Sequence, residues 1–181
     1  MAVREPQTLS RRYKLTVEDF YRLNLPPDKR YELIEGVVYE MPAIGPLHAT
    51  LVRKFQDALY ENFRGRALVS TQNPLRLGQH SMPQPDLALI RVADYRHEHP
   101  QAQDVYLVLE VAVTTLEDDR KKLAVYAKAS IPEVWIVNPE AYRVEVYRQP
   151  KGSRYLSRRD HDPAEPVAPL AFPDAPLVLS W

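Results

Sequence analysis

The segment VYLVLEVAV, residues 105–113, constrains this chain more than any other. It is rich in β-branched residues and too short to cross a bilayer. Its near-continuous apolar run is that of a strand covered on both faces, as strands in parallel or mixed sheets are. Yet it carries Glu110 near its centre. A carboxylate in such a strand costs several kcal/mol, to order of magnitude, unless it is paired, hydrogen-bonded or bound to a metal. The strand must therefore belong to a sheet that also builds a polar site.

The surrounding sequence supplies the rest of that sheet. In LTVEDFYRL, Thr16 is a cap candidate ahead of apolar residues at helical spacing, which predicts a short helix over residues 17–23. YELIEGVVYEM reads as two strand pieces hinged at Gly36. From His48 to Phe63, Leu51, Val52, Phe55, Ala58 and Leu59 recur along one face and predict an amphipathic helix, with Arg53, Lys54, Gln56 and Asp57 on the other. ALVSTQNPLRL gives one or two strands broken near Pro74, and PDLALIRV a strand beginning after Pro85. Residues 117–129 predict a further helix with Leu123, Tyr126 and Ala127 inward. EVWIVNP follows as a central strand and RVEVYRQ as an alternating edge strand, ahead of a Pro-rich tail over 162–181. Helices interspersed with strands in this order predict an α/β fold, a mixed β-sheet flanked by helices.

Bulk properties exclude several classes of function. At 181 residues the chain suits one domain, assigned to residues 13–181 behind a loose polar tail at 1–12. Without cysteine there are no disulfides, thiolate metal sites or Cys nucleophiles. No segment has the length and apolarity of a membrane span, and the N-terminus has no signal-peptide pattern, so a cytoplasmic protein without a membrane partner is expected. Lys plus Arg and Asp plus Glu both number 24, so a polyanion would have to meet a local patch. Glycine-rich phosphate loops and the G-x-S-x-G elbow are absent, which removes dinucleotide enzymes, P-loop NTPases and elbow hydrolases.

Asp86 begins one predicted strand and Glu110 lies in the next, so pairing of the two strands would bring both acids to one end of the sheet. Two converging carboxylates repel, and a divalent cation is their natural partner. Hard oxygen ligands favour Mg²⁺ or Mn²⁺, which retain positions for water and a substrate phosphate. Lys122, on the helix after Glu110, can add a fixed positive charge where a phosphoryl transition state builds negative charge.

PQPDLALI followed by VYLVLEVAVTTLEDDRKKLAVYAKASIPEVWIVNPE resembles the PD-(D/E)xK nuclease superfamily, and more closely its Uma-type branch of restriction endonucleases. The similarity reaches back to YELIEGVVYEMP and His48. It implies a restriction-endonuclease-like α-β-β-β-α-β core and metal-dependent hydrolysis of DNA. Asp86 matches the Asp of the PD motif and Glu110 the second acid. The lysine usual two residues later is replaced by Ala112. In the Uma-type branch the lysine comes from the next helix in a D-x-x-x-K-L-x-x-Y pattern, which Asp118, Lys122, Leu123 and Tyr126 fit. Asp119 and Lys121 are competing assignments, because the segment looks one residue short. Glu32 and His48 also match positions of this branch, Glu32 as a further metal ligand or water holder and His48 as a group that orients or deprotonates the attacking water. Glu35 ranks below Glu32.

Plainer roles exist for most of these residues. EDDRKK is by default a solvated helix start, and His80, His97, His99 and His161 fall in loops without ligand spacing. Arg53, Lys54, Arg64 and Arg66 either track a phosphate backbone or form the wet side of a helix. Ala112 and the neutral charge leave room for a catalytically inactive nuclease-fold protein that binds nucleic acid or regulates. Glycoside hydrolysis by the carboxylate pair is disfavoured by the few aromatic residues near both acids. Exposed strands and the apolar PLVLSW tail make a homodimer an expectation.

Overall fold

The computed structural model describes residues 13–113 and 116–181; the tail expected at 1–12 lies outside them, as do the side chains of Glu117 and Asp118. Helix α1 (Val17–Arg22) starts where the sequence placed it, with Thr16 and Asp19 forming a reciprocal capping box. Strands β1 (Tyr31–Ile34) and β2 (Val37–Glu40) form a hairpin. Its turn residues Glu35 and Gly36 both have positive φ, 50° and 83°, as tight two-residue hairpin turns require. A β-carbon at Gly36 would also collide with Lys14, so glycine is needed there for two reasons. Leu33 and Met82 exchange backbone hydrogen bonds and tie the hairpin to the chain ahead of the main sheet.

Helix α2 (Pro46–Phe63) begins two residues earlier than the periodicity indicated, because Pro46 occupies the first turn, where its missing N–H costs nothing. Strands β3 (Leu68–Thr71), β4 (Leu87–Ile90) and β5 (Val105–Val111) follow, then α3 (Leu116–Lys128), β6 (Glu133–Asn138), β7 (Arg143–Lys151) and β8 (Arg154–His161). The six strands β3 to β8 lie in sequence order in one mixed sheet. Only β5 and β6 are parallel, and α3 makes the crossover between them. The run from α2 to β6 reproduces the expected α-β-β-β-α-β order.

Alternation along β5 explains how the sheet is covered. Leu107, Leu109 and Val111 face α2, whose Val52, Phe55 and Leu59 join them in one core cluster. Val108 and Ala112 face the opposite way, with Val125 and Tyr126 of α3 in a second cluster. Glu110 shares the parity of Val108 and Ala112, so its carboxylate lies on the α3 side and is almost fully buried.

ALVSTQNPLRL, expected as one or two strands, forms one, β3, after which the chain runs irregularly to β4. Two expectations need correction. RVEVYRQ is an interior strand, because β8 pairs along its outer side from Val144 to Lys151. The tail expected to offer an apolar surface to a second copy instead covers the α2 face of its own sheet. There Val167, Phe172, Leu177 and Leu179 are buried, and the Trp181 ring packs edge-on to Phe55. That removes one of the two grounds for a homodimer. Glu133, wholly buried, holds the tail: it accepts from Leu170 N at 2.7 Å, Arg148 Nε at 2.7 Å and Trp135 Nε1 at 2.7 Å. Glu145, also wholly buried, anchors α3 through Arg120 at 2.6 Å.

Candidate active site

The register that pairs Leu87 with Leu109 brings Asp86 level with Glu110. Asp86 N–H donates to Glu110 Oε2 at 3.1 Å, and Val111 N–H donates to Asp86 Oδ2 at 2.9 Å, so the two acids are locked together across neighbouring strands. His48 Nε2 lies 3.0 Å from the same Oδ2. A carboxylate oxygen between two such partners can only accept, so His48 donates from Nε2. Its Nδ1 is buried and has no hydrogen-bond partner among the described residues. The bond to Asp86 raises the His48 pKa, against burial, which lowers it.

Helix α3 completes the cluster. Lys122 Nζ lies 3.3 Å from Glu32 Oε2, 3.6 Å from Glu110 Oε1 and 4.0 Å from Asp119 Oδ1, with its side chain only 12% exposed. One turn further along, Tyr126 donates its hydroxyl to Glu110 Oε1 at 2.6 Å. Lys121 is exposed at the rim. The spacing of four between Lys122 and Tyr126 thus puts both on the inward face, and Lys122 is the lysine turned toward the carboxylates. Burial lowers the Lys122 pKa, but Glu110, Glu32 and Asp119 more than reverse this and hold the ammonium charged. Burial pushes Glu110 up to about 8, opposed by Lys122 and by the tyrosine hydroxyl. Glu32 accepts from Gln84 N–H at 3.2 Å, which fixes the hairpin against the segment leading into Asp86.

The side chains of Glu32, His48, Asp86, Glu110, Asp119 and Lys122 line one cleft of about 610 Å³, bounded also by the loop between β2 and α2. The donor chemistry fits a hard divalent cation. Both donors to Asp86 use Oδ2, which leaves Oδ1 without a hydrogen bond among the described residues, in a side chain lining the cleft. One or two carboxylates with waters satisfy Mg²⁺. Among the described residues no group of three His, Asp or Glu side chains is close enough to hold an ion together. Glu32 meets the Asp86 and Glu110 pair through Lys122 rather than as a third converging carboxylate.

A family model described as "Uma2: Putative restriction endonuclease" matches residues 17–179, nearly the whole chain. The chain belongs to the Uma2 family. Among solved structures it is similar to one titled as a putative nuclease belonging to DUF820 from Anabaena variabilis. That likeness has a TM-score of 0.73 at 17% identity and covers 91% of this chain and 95% of the other, which shows a shared fold. No curated protein matches.

In this Uma2 chain the five residues singled out from sequence, Glu32, His48, Asp86, Glu110 and Lys122, all line the same cleft. Asp118, the acid that fits the pattern ahead of Lys122, lies outside the described side chains, whereas its competitor Asp119 is buried against Lys122. Glu35 points away, paired with Lys128. Of the basic residues weighed as a phosphate track, none of Arg53, Lys54, Arg64 and Arg66 lines the cleft, and Arg66 forms a bidentate pair with Asp174. Sequence reasoning missed the Tyr126 hydroxyl as a partner of Glu110, having used that tyrosine only for helix phase. It also missed Gln84, although PQPD placed Gln84 two residues before the acid.

Proposed function

We propose that this chain is a divalent-metal-dependent endonuclease that hydrolyses DNA phosphodiester bonds. The observation that carries this reading is the meeting of two carboxylates from adjacent strands with one ammonium from the following helix. Asp86 and Glu110 would hold Mg²⁺ or Mn²⁺, with Glu32 beside them. Such an ion lowers the pKa of water and neutralises charge on a phosphate.

The remaining roles belong to the chain's own groups. Lys122, kept charged by its carboxylate neighbours, faces the negative charge that builds on the phosphoryl oxygens. His48 donates to Asp86 and fixes the direction of its free oxygen. Because its Nδ1 is buried, this reading gives His48 an orienting role and not that of the base. Tyr126 and the Asp86 N–H both donate to Glu110 and favour its ionised, ligating form. The inactive-protein alternative drew on Ala112, which is packed beneath α3, but the Lys122 ammonium supplies the cation that position lacks.

Purified protein incubated with supercoiled DNA and with single-stranded DNA, in Mg²⁺ or Mn²⁺, tests the proposal. Cleavage that disappears with EDTA and in Asp86→Ala is expected. Cleavage by Asp86→Ala at the wild-type rate, or none of either substrate by the wild type with either ion, would overturn it.

A further inference from the structure

We infer that the cleft admits an unpaired nucleotide, with its base laid against the ring of Tyr39, in preference to an intact duplex; this rests on the nuclease reading of the same site. Tyr39 is the direct cross-strand partner of Glu32 in the β1–β2 hairpin. Opposed residues of an antiparallel pair project from the same face with β-carbons about 5 Å apart. The ring therefore stands beside the carboxylate that meets Lys122.

Tyr39 is half exposed, lines the cleft and makes no ring contact with another aromatic residue among those described. Ile44 and Leu47, also about half exposed, line the same cleft from the loop and the start of α2. A free aromatic face with aliphatic neighbours suits the flat surface of a base, which a stacked duplex does not present.

Charge points the same way. A duplex carries one negative charge per about 1.7 Å of axis and is held by rows of Lys and Arg. Among the described residues, those lining this cleft include five carboxylates, Glu32, Glu40, Asp86, Glu110 and Asp119, against three cations, Arg30, Lys121 and Lys122. Such a lining suits one phosphate at the carboxylate pair and an apolar seat for its base. A volume of about 610 Å³ is also the size of a pocket for one small ligand.

The test is fluorescence anisotropy with a labelled 12-mer, single-stranded and as the matching duplex, in Ca²⁺, alongside cleavage of both in Mn²⁺. The single strand should bind at least about tenfold tighter than the duplex. Tyr39→Ala should weaken it roughly 5- to 150-fold, the range for one stacked base, while Tyr39→Phe keeps affinity. Equal or tighter duplex binding, no binding of either, or an unchanged affinity in Tyr39→Ala overturns the inference. If duplex cleavage accompanies that result, the nuclease reading survives it. Preference for the single strand with no cleavage of any substrate keeps the inference and sinks the nuclease reading.

Discussion

Replacing Lys122 with methionine keeps the length of the side chain and removes its charge. Three carboxylates then lose the ammonium that lies 3.3 to 4.0 Å from each, in a place where their own side chains are at most 9% exposed. Breaking a buried pair by removing one partner costs about 3–5 kcal/mol. The pH dependence carries the sharper test. The Lys122 pKa is held above its ordinary 10.5, so its contribution is fully present below 10.5 and fades only as pH rises through the folded value. Between pH 6 and 9 it does not titrate. Glu110 does, because its folded pKa is raised from 4.5 to about 8.

At pH 6 Glu110 is neutral in folded wild type, and the substitution removes mainly the charge-assisted contact to Glu32, about 1.5–3 kcal/mol. At pH 9 wild-type Glu110 is ionised against Lys122, whereas in Lys122→Met it must stay protonated or stand unpaired, and the cost climbs toward the full 3–5 kcal/mol. Urea melts in EDTA at both pH values measure this directly. Repeating them in a Glu110→Gln background should abolish the difference. A cost below about 1 kcal/mol at pH 9, or one no larger at pH 9 than at pH 6, would refute the electrostatic reasoning.

Metal-free wild type should lose stability as pH rises from 4.5 to about 8, because the folded state binds the Glu110 proton more tightly than the unfolded chain does. His48, raised by Asp86, adds a term of the same sign above its ordinary 6.5. The slope is at most about 1.4 kcal/mol per pH unit for one group, and Glu110→Gln should flatten it in denaturant melts. A wild-type curve that rises over this interval would contradict the burial argument. Glu133→Ala should cost about 3–5 kcal/mol, since it strands Arg148 and frees Leu170 N–H. Limited proteolysis within residues 162–181 should quicken in that variant, and an unchanged cleavage rate would remove Glu133 as the anchor of the tail.

The acids of the site were legible because each broke a local rule. Glu110 interrupts an apolar strand, and Asp86 stands where pairing with that strand puts it level. Lys122 and Lys121 could not be separated by charge; the phase of α3 decides between them, and Tyr126 reports that phase by burying its ring one turn later. β8 was invisible because ladder hydrogen bonds, not apolar burial, hold RYLSRRDH: most of its residues stay exposed along the sheet edge. That same strand turns β7 from an edge into an interior strand. Glu133 and Glu145 lie at positions where nothing in sequence marks a buried acid, because their compensating arginines come from 13 to 25 residues away in the chain. Tyr39 carried no signal either, since a strand tyrosine is ordinary until the hairpin is docked beside Glu32.

Diffraction from crystals soaked in Mn²⁺, recorded for its anomalous signal, addresses the metal site without reliance on a substrate. A peak between the carboxylates of Asp86 and Glu110, beside Lys122, that vanishes in Asp86→Asn is the predicted result. An empty cleft at saturating Mn²⁺, or a peak there that survives Asp86→Asn at full height, would contradict a metal-dependent nuclease built on these residues.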